Sequence, residues 1–379
     1  QSTWGSNRKP HIKRLKVTHL QTVQNYLKKA IMVNSMQGWP EPVVSVQSLA
    51  ESRITDIPEK YVKPPSQRPS AERNEVAIPA VDLQHAFSPN KELRERTLDV
   101  ISKACREFGF FQVVNHGVSH DLMRANRDIW RRFFDQPSDE KQKYANNPAT
   151  YEGYGSRLGV EKGARLDWSD YFFLHYLPTS LRDPNKWPAV PQSLRDVVEE
   201  YGKEVGKLGV TLLKVLSLNL GHEENFLQNA FGGTEDIGIC LRTNYYPKCP
   251  QPELTLGLSA HTDPGGMTIL LADEVAGLQV MAGEDWATVK PVPNSFVVNI
   301  GDQIQIISNG IYKSGEHRVF VNRGNERISM ALFYNPNGDI LISPSERLVS
   351  VETPAKYAPQ TFNQYRQSIR KKGICDKIL

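Results

Sequence analysis

Residues 239–271 read ICLRTNYYPKCPQPELTLGLSAHTDPGGMTILL, and the reading of this stretch decides the fold. It begins with polar and apolar side chains in alternation, passes a Pro-rich turn, and resumes in short runs of Leu, Ile and Met. Asp263-Pro264-Gly265-Gly266 marks a second turn. This is the texture of short strands punctuated by turn residues. Around the quoted runs at 239–246, 254–259 and 267–271, similar ones recur at 277–281, 286–290, 295–300, 304–308, 316–321 and 327–334. So many short strands predict a sandwich or barrel, and an eight-stranded jelly roll fits.

Ahead of this region the pattern is helical. Leu93, Thr97, Leu98, Ile101, Ala104, Cys105 and Phe108 follow helical spacing over 91–108, stopped by Gly109. Further helices are predicted near 119–135 and 191–220, with another at 359–372 after the strands. Residues 77–83 and 110–114 read as strands, the latter ending at the turn Asn115-His116-Gly117. The expected architecture is mainly β with helices: a double-stranded β-helix core, a helical N-terminal region and a C-terminal lid helix. We divide the chain into a basic, disordered extension (1–40), an extended Pro/Ser-rich arm outside the core with one short helix at 46–50 (41–75), a helix-rich region (76–235), the jelly roll (236–340), and the lid helix and tail (341–379).

Composition narrows the function. The 379 residues are 39% hydrophobic, enough for a sizeable core, and contain no apolar run long enough for a membrane span. The net charge of +4 is unevenly placed. Residues 1–40 hold seven basic residues and no acid, so the rest carries 39 basic against 42 acidic residues. Such a body does not attract polyanions, which disfavours nucleic acid as a partner. The four scattered cysteines form no CxxC pair, as expected of reduced thiols in a cytoplasmic protein, the nucleus being a second possible compartment. We expect a monomer acting on a small molecule.

The chemistry concentrates in the β region. His261-Thr262-Asp263 places two potential ligands on one face of a strand or its end, and His317 follows 54 residues after the Asp. Two imidazoles and a carboxylate with open positions form the ligand set of non-haem Fe(II) oxygenases. The His-x-Asp pair alone is equally what an ordinary turn would show. Downstream, alternation puts Arg327, Ser329, Ala331, Phe333 and Asn335 on one face of a strand, and Ile328, Met330, Leu332 and Tyr334 on the other. Both faces are mostly uncharged, so the strand is covered on each side. Its inward Arg and Ser then need an acceptor, which a ligand carboxylate supplies. Arg242, Asn244 and Tyr246 share a face in the same way, with Tyr245 pointing away.

The run NYYPKCPQPELTLGLSAHTD, the spacing of His317, Arg327 and Ser329, and Asn115-His116-Gly117 together resemble the plant 2-oxoglutarate- and iron-dependent dioxygenases. The resemblance extends over roughly residues 40–375 and breaks none of the motif. It implies His261, Asp263 and His317 as Fe(II) ligands. Arg327 and Ser329 would bind the distal carboxylate of 2-oxoglutarate, with Asn244 and Tyr246 assisting. His116 belongs to a turn. Three protein ligands leave room for the keto acid and O2. The implied reaction converts 2-oxoglutarate to succinate and CO2 and hydroxylates a C–H bond, with ascorbate as reductant.

Substrate choice rests on side evidence. Gly153-Tyr154-Gly155-Ser156 and Phe333 resemble the flavonoid-oxidising members, anthocyanidin synthase and flavonol synthase, and mark Tyr154 and Phe333 as substrate-binding. Those enzymes place a Glu where this chain has Asn335, and a Lys where it has Arg242. An Arg at the barrel mouth suits a second carboxylate. Arg366 and Arg370, at i and i+4 on the terminal helix, would reach down to the same group or else form a solvated face. The segments WPEPVVSVQSLAES and IPEKYVKPPSQRPS look like the jasmonate-induced oxygenases. That resemblance implies hydroxylation of jasmonic acid to 12-hydroxyjasmonate, a hormone-inactivating step. The alternatives are a flavonoid oxidase, and a catalytically silent binding protein on the same barrel. A short C-terminal tail would loosen the lid helix.

Overall fold

The computed structural model describes residues 44–70, 75–76, 78–146, 150–156, 165–234 and 236–372, with the side chains of 370–372 left out. The basic extension expected over 1–40 and the tail after 372 lie outside the described residues. In chain order the strands are β1 (Glu75–Val76), β2 (Ala80–Asp82), β3 (Phe110–Val114), β4 (Gly153–Gly155), β5 (Asp170–Leu177), β6 (Gly238–Tyr246) and β7 (Leu258–His261). They continue as β8 (Met267–Leu271), β9 (Leu278–Ala282), β10 (Asp285–Val289), β11 (Phe296–Ile300), β12 (His317–Val319), β13 (Arg327–Asn335), β14 (Leu341–Ile342) and β15 (Gln360–Thr361), the last two paired with each other. A large sheet runs β2-β3-β11-β8-β13-β6-β5-β4, and a smaller one runs β1-β10-β9-β12-β7. Residues of both sheets line one cavity between them. The architecture is the expected jelly-roll sandwich with helices.

Helices cover the outer face of the large sheet. The helix α1 (Val46–Glu51) belongs to the arm; α2 (Lys91–Glu107), α3 (His120–Phe134), α4 (Ser138–Gln142), α5 (Leu194–Asn219) and α6 (Phe226–Ala230) precede β6. Asn90 caps α2 by accepting from the Leu93 amide at 3.2 Å. Gly109 ends that helix at φ +74°, where any Cβ would lie 2.2 Å from the Lys313 carbonyl oxygen. On α5 the glycines permit close packing: a Cβ at Gly209 would meet the Tyr334 ring at 2.6 Å. Ile328, Met330, Leu332 and Tyr334 of β13 point into this helix-covered core, and their neighbours face the cavity. The alternation read along that strand is the observed one.

Two expectations fail, and two strands lie where none was read. Residues 304–308, predicted as a strand, form the end of the helix α7 (Asp302–Ile307) and its C-cap Ser308. A short run rich in Ile does not distinguish strand from buried helix, and here the backbone docks onto the turn after His261. The Asp302 amide donates to the Asp263 carbonyl at 2.8 Å and the Gln303 amide to that of Gly265 at 2.9 Å. The arm, expected to lie outside the core, is part of it. Val46 and Tyr61 are fully buried in a cluster with Trp168 and Tyr246. Buried Lys63 pairs with Asp167 at 2.7 Å. An extended segment shows no periodicity, so its partners, which lie about a hundred residues away, are invisible in its sequence. Strands β4 and β5 were not expected at all, yet β5 extends the large sheet along the whole edge of β6.

Candidate active site

Three side chains converge at the inner face of the small sheet. His317 opens β12 directly across from His261 at the end of β7, and their rings lie 4.2 Å apart between centroids. Asp263, just beyond β7, brings Oδ1 to 3.6 Å from His261 Nε2 and 3.8 Å from His317 Nε2. The remaining polar atoms are already committed. His261 Nδ1 donates to the Ser259 carbonyl at 2.8 Å, and His317 Nδ1 to that of Gly315 at 3.1 Å. Asp263 Oδ2 accepts from Asn299 Nδ2 at 2.8 Å and from Thr268 Oγ1. Two Nε2 lone pairs and one carboxylate oxygen are therefore left pointing at a common space, oriented by a second layer of hydrogen bonds.

Electrostatics suit a cation there. Burial and the neighbouring His317 push His261 down to about 4, so its ring is a neutral donor. Burial would raise Asp263. The two imidazoles and the bonds from Asn299 and Thr268 outweigh it and hold the carboxyl below its usual value. A facial set of two imidazoles and one ionised carboxylate fits Fe(II).

The cavity beside this triad has a volume of about 300 Å³. Its far wall is a ladder of paired residues on β6 and β13: Tyr246 opposite Arg327, Asn244 opposite Ser329, Arg242 opposite Ala331, and Cys240 opposite Phe333. Arg327 is only 3% exposed. Its Nε donates to the Val275 carbonyl at 3.1 Å, and the guanidinium lies over the Tyr246 ring. Arg242 donates to Asn244 Oδ1 at 2.7 Å and stacks on Tyr171 at 4.2 Å. These partners are neutral, so both arginines bring net positive charge to the cavity wall.

Of the substrate residues expected from the sequence, Arg242, Phe333, Asn335 and Arg366 line this cavity. Arg366 extends from the terminal helix α8 (Phe362–Lys372). Arg370 lies on the same helix, its side chain outside the described residues. Tyr154 is a correction. It is 1% exposed and packs against Phe133 and Phe134, with its hydroxyl 3.1 Å from Ser45 Oγ. It faces the aromatic core on the helix side of the sheet, so it does not reach a substrate. His116, read as part of a turn, binds the Asn294 carbonyl at 3.0 Å, and its chain neighbours Asn115 and Gly117 adopt positive φ.

Sequence reasoning missed Phe173, which sits across from Arg242 on β5 and lines the cavity. The alternation in DYFFLHYL was the available signal. It also missed Thr268 and Asn299, whose role depends on a contact no local pattern encodes.

Fold and donor set define a non-haem iron oxygenase that uses a keto-acid co-substrate. The chain belongs to the 2-oxoglutarate- and Fe(II)-dependent dioxygenases. Residues 238–336 match the 2OG-Fe(II) oxygenase superfamily model, and residues 78–190 match that of the non-haem dioxygenase N-terminal region described from morphine synthesis. The chain is 57% identical to jasmonate-induced oxygenase 3 of Arabidopsis thaliana over 349 residues, covering 90% of this chain and 96% of the relative. It is 40% identical to a leucoanthocyanidin dioxygenase of Malus domestica, covering 85% and 93%. A crystal structure of JOX2 with 2OG, Fe and JA superimposes with a TM-score of 0.82 at 58% identity, over 88% of this chain and 95% of that one. Among the described residues no helix is long and apolar enough to cross a membrane.

Proposed function

We propose that this dioxygenase hydroxylates jasmonic acid, or a closely similar apolar acid with one carboxylate, at carbon 12. The observation that carries the reading is the presence of two separate cationic ends in one apolar cavity. Arg242 and Arg327 stand four strand positions apart on the β6–β13 ladder, which corresponds to about 13 Å along the strands. One cation serves the co-substrate and the other a second carboxylate. Bound Fe(II), held by His261, Asp263 and His317, supplies the activation of O2 that oxidises both the keto acid and the substrate C–H bond.

The chain's own residues handle binding and orientation. The Arg327 guanidinium and the Ser329 hydroxyl, with Tyr246 beside them, take the distal carboxylate of 2-oxoglutarate. Asn244 accepts from Arg242 Nε and so aims the remaining N–H groups into the cavity. Arg242 and Arg366 grip the substrate carboxylate from the barrel wall and from the terminal helix. Phe173 and Phe333 flank the apolar body and exclude water. The 57–58% identity to jasmonate-induced oxygenases supports this substrate over a flavonoid.

Reconstitution with Fe(II) under anaerobic conditions, followed by O2, 2-oxoglutarate and either jasmonic acid or a dihydroflavonol, tests the reading. Succinate formed in step with hydroxyjasmonate is the expected result. Coupling to the flavonoid alone would overturn the substrate and keep the reaction class.

A further inference from the structure

The terminal helix carrying Arg366 is tied to the iron loop through a buried hydrogen bond. Tyr365, 1% exposed, donates from its hydroxyl to Asp302 Oδ2 at 2.8 Å. Asp302, equally buried, is the first residue of α7, and its amide holds the Asp263 carbonyl at 2.8 Å. Thr262, between the two metal-binding positions His261 and Asp263, reaches the same carboxylate oxygen at 3.4 Å. A carboxylate buried this deeply is costly to keep without such bonds. Tyr365 immediately precedes Arg366 in the helix, and both border the cavity.

We propose that Tyr365 is a positioning residue: its bond to Asp302 fixes the terminal helix over the cavity so that Arg366 meets the substrate carboxylate in register with the iron loop. This deepens the proposed function and rests on its reading of Arg366. At its start the helix is also held by Asn363, whose amide donates to the Gly338 carbonyl at 2.8 Å and whose side chain donates to Asp339 at 3.0 Å, but these bonds do not reach the iron loop. Its opening Phe362 and Tyr365 are its buried side chains among those described, and Arg366 packs over Phe362 at 5.5 Å. Removing the hydroxyl leaves the aromatic packing in place and releases only the tether.

The test uses the full chain with Tyr365→Phe, Arg366→Ala and the double variant. In Tyr365→Phe, amide exchange over residues 362–369 should accelerate about tenfold while exchange in β6 and β13 is unchanged. The KM for jasmonic acid should rise about tenfold, with kcat and the KM for 2-oxoglutarate within about twofold. In the Arg366→Ala background the same substitution should add nothing to KM, since a positioning residue acts through the group it positions. Unchanged exchange over the helix would overturn the tether whatever the substrate is. A full additive penalty in the double variant would show that Tyr365 acts independently of Arg366. If Arg366→Ala alone leaves the KM for jasmonic acid untouched, the substrate reading of Arg366 falls, and the exchange result still decides the tether. Asp302→Asn leaves only a weaker, uncharged acceptor and should also accelerate exchange over 362–369, with no further acceleration when combined with Tyr365→Phe; full additivity of the two would overturn the pairing.

Discussion

His317 and His261 face one another across the β12–β7 pair, and each has its Nδ1 committed to the backbone carbonyl two residues earlier in the chain. The same local arrangement thus orients both imidazoles, and Asp263 completes the set from the turn that follows. Asp263→Ala should abolish Fe(II) binding and turnover together. Thr268→Val, which removes one bond to Asp263 Oδ2, should weaken metal binding about 10- to 100-fold without touching a ligand. Metal titration by equilibrium dialysis measures both, and retained Fe(II) affinity in Asp263→Ala would remove the metal assignment.

Arg327 is buried in the cavity wall, and alanine there would leave a co-substrate carboxylate without its charged partner. Arg327→Ala should raise the KM for 2-oxoglutarate by about thirtyfold or more, and that for jasmonic acid far less. Steady-state kinetics with each substrate varied in turn decide this. The reverse pattern would mean that the two carboxylate ends are exchanged.

Arg242 lies nearer the mouth, half-buried and pinned by Asn244 and Tyr171. Arg242→Ala should weaken jasmonic acid binding about tenfold and leave the slow uncoupled decay of 2-oxoglutarate almost unchanged. Unaltered affinity by calorimetry would reduce this arginine to a packing role.

Asp170 has no exposed surface and accepts from Ser45 Oγ at 2.6 Å, from the Val46 amide at 2.9 Å, from the Gln47 amide at 3.0 Å, and from Ser156 Oγ. It is the clamp that holds the N-terminal arm on the barrel. Asp170→Ala orphans several buried donors and should cost about 3 kcal/mol or more of stability. Urea denaturation measures the loss, and a change below about 1 kcal/mol would show that the arm is held chiefly by Val46, Tyr61 and their apolar neighbours.

Burial lowers His116 and His175 below the ordinary imidazole value. Protonation therefore favours the unfolded chain. The stability these rings contribute is present above about pH 6.5 and is lost as pH falls through their depressed folded values. The melting temperature of metal-free protein should drop between pH 7.5 and 5, and His116→Gln should make that slope shallower. An identical slope would show that His116 does not contribute to the acid lability.

His261 and Asp263 were legible as a pair because strand alternation and turn chemistry are local, and His317, 54 residues further on, was joined to them by the family resemblance. Arg327, Ser329 and Phe333 share a face for the same reason that Ile328 and Met330 share the other. Tyr154 misled because a motif shared with flavonoid enzymes says nothing about which side of the sheet its tyrosine occupies. β4 pairs at the edge of the large sheet, and the ring of Tyr154 turns toward Phe133 and Phe134, away from the cavity. Residues 304–308 misled because Gln and Ile in alternation satisfy a strand as well as a buried turn of helix.

By itself the sequence determined the jelly-roll class, the shared face of His261 and Asp263 and the inward faces of β6 and β13, which follow from turn chemistry and periods of two residues, while its resemblance to the dioxygenases joined His317 to that pair. Tertiary structure alone decided that the arm is core, that Phe173 meets Arg242, that Thr268 and Asn299 orient Asp263, and that Tyr365 reaches Asp302. Those relationships join residues from about 5 to more than 120 positions apart. They are decided by burial and by the need to satisfy buried polar groups, which no stretch of chain expresses before it has folded.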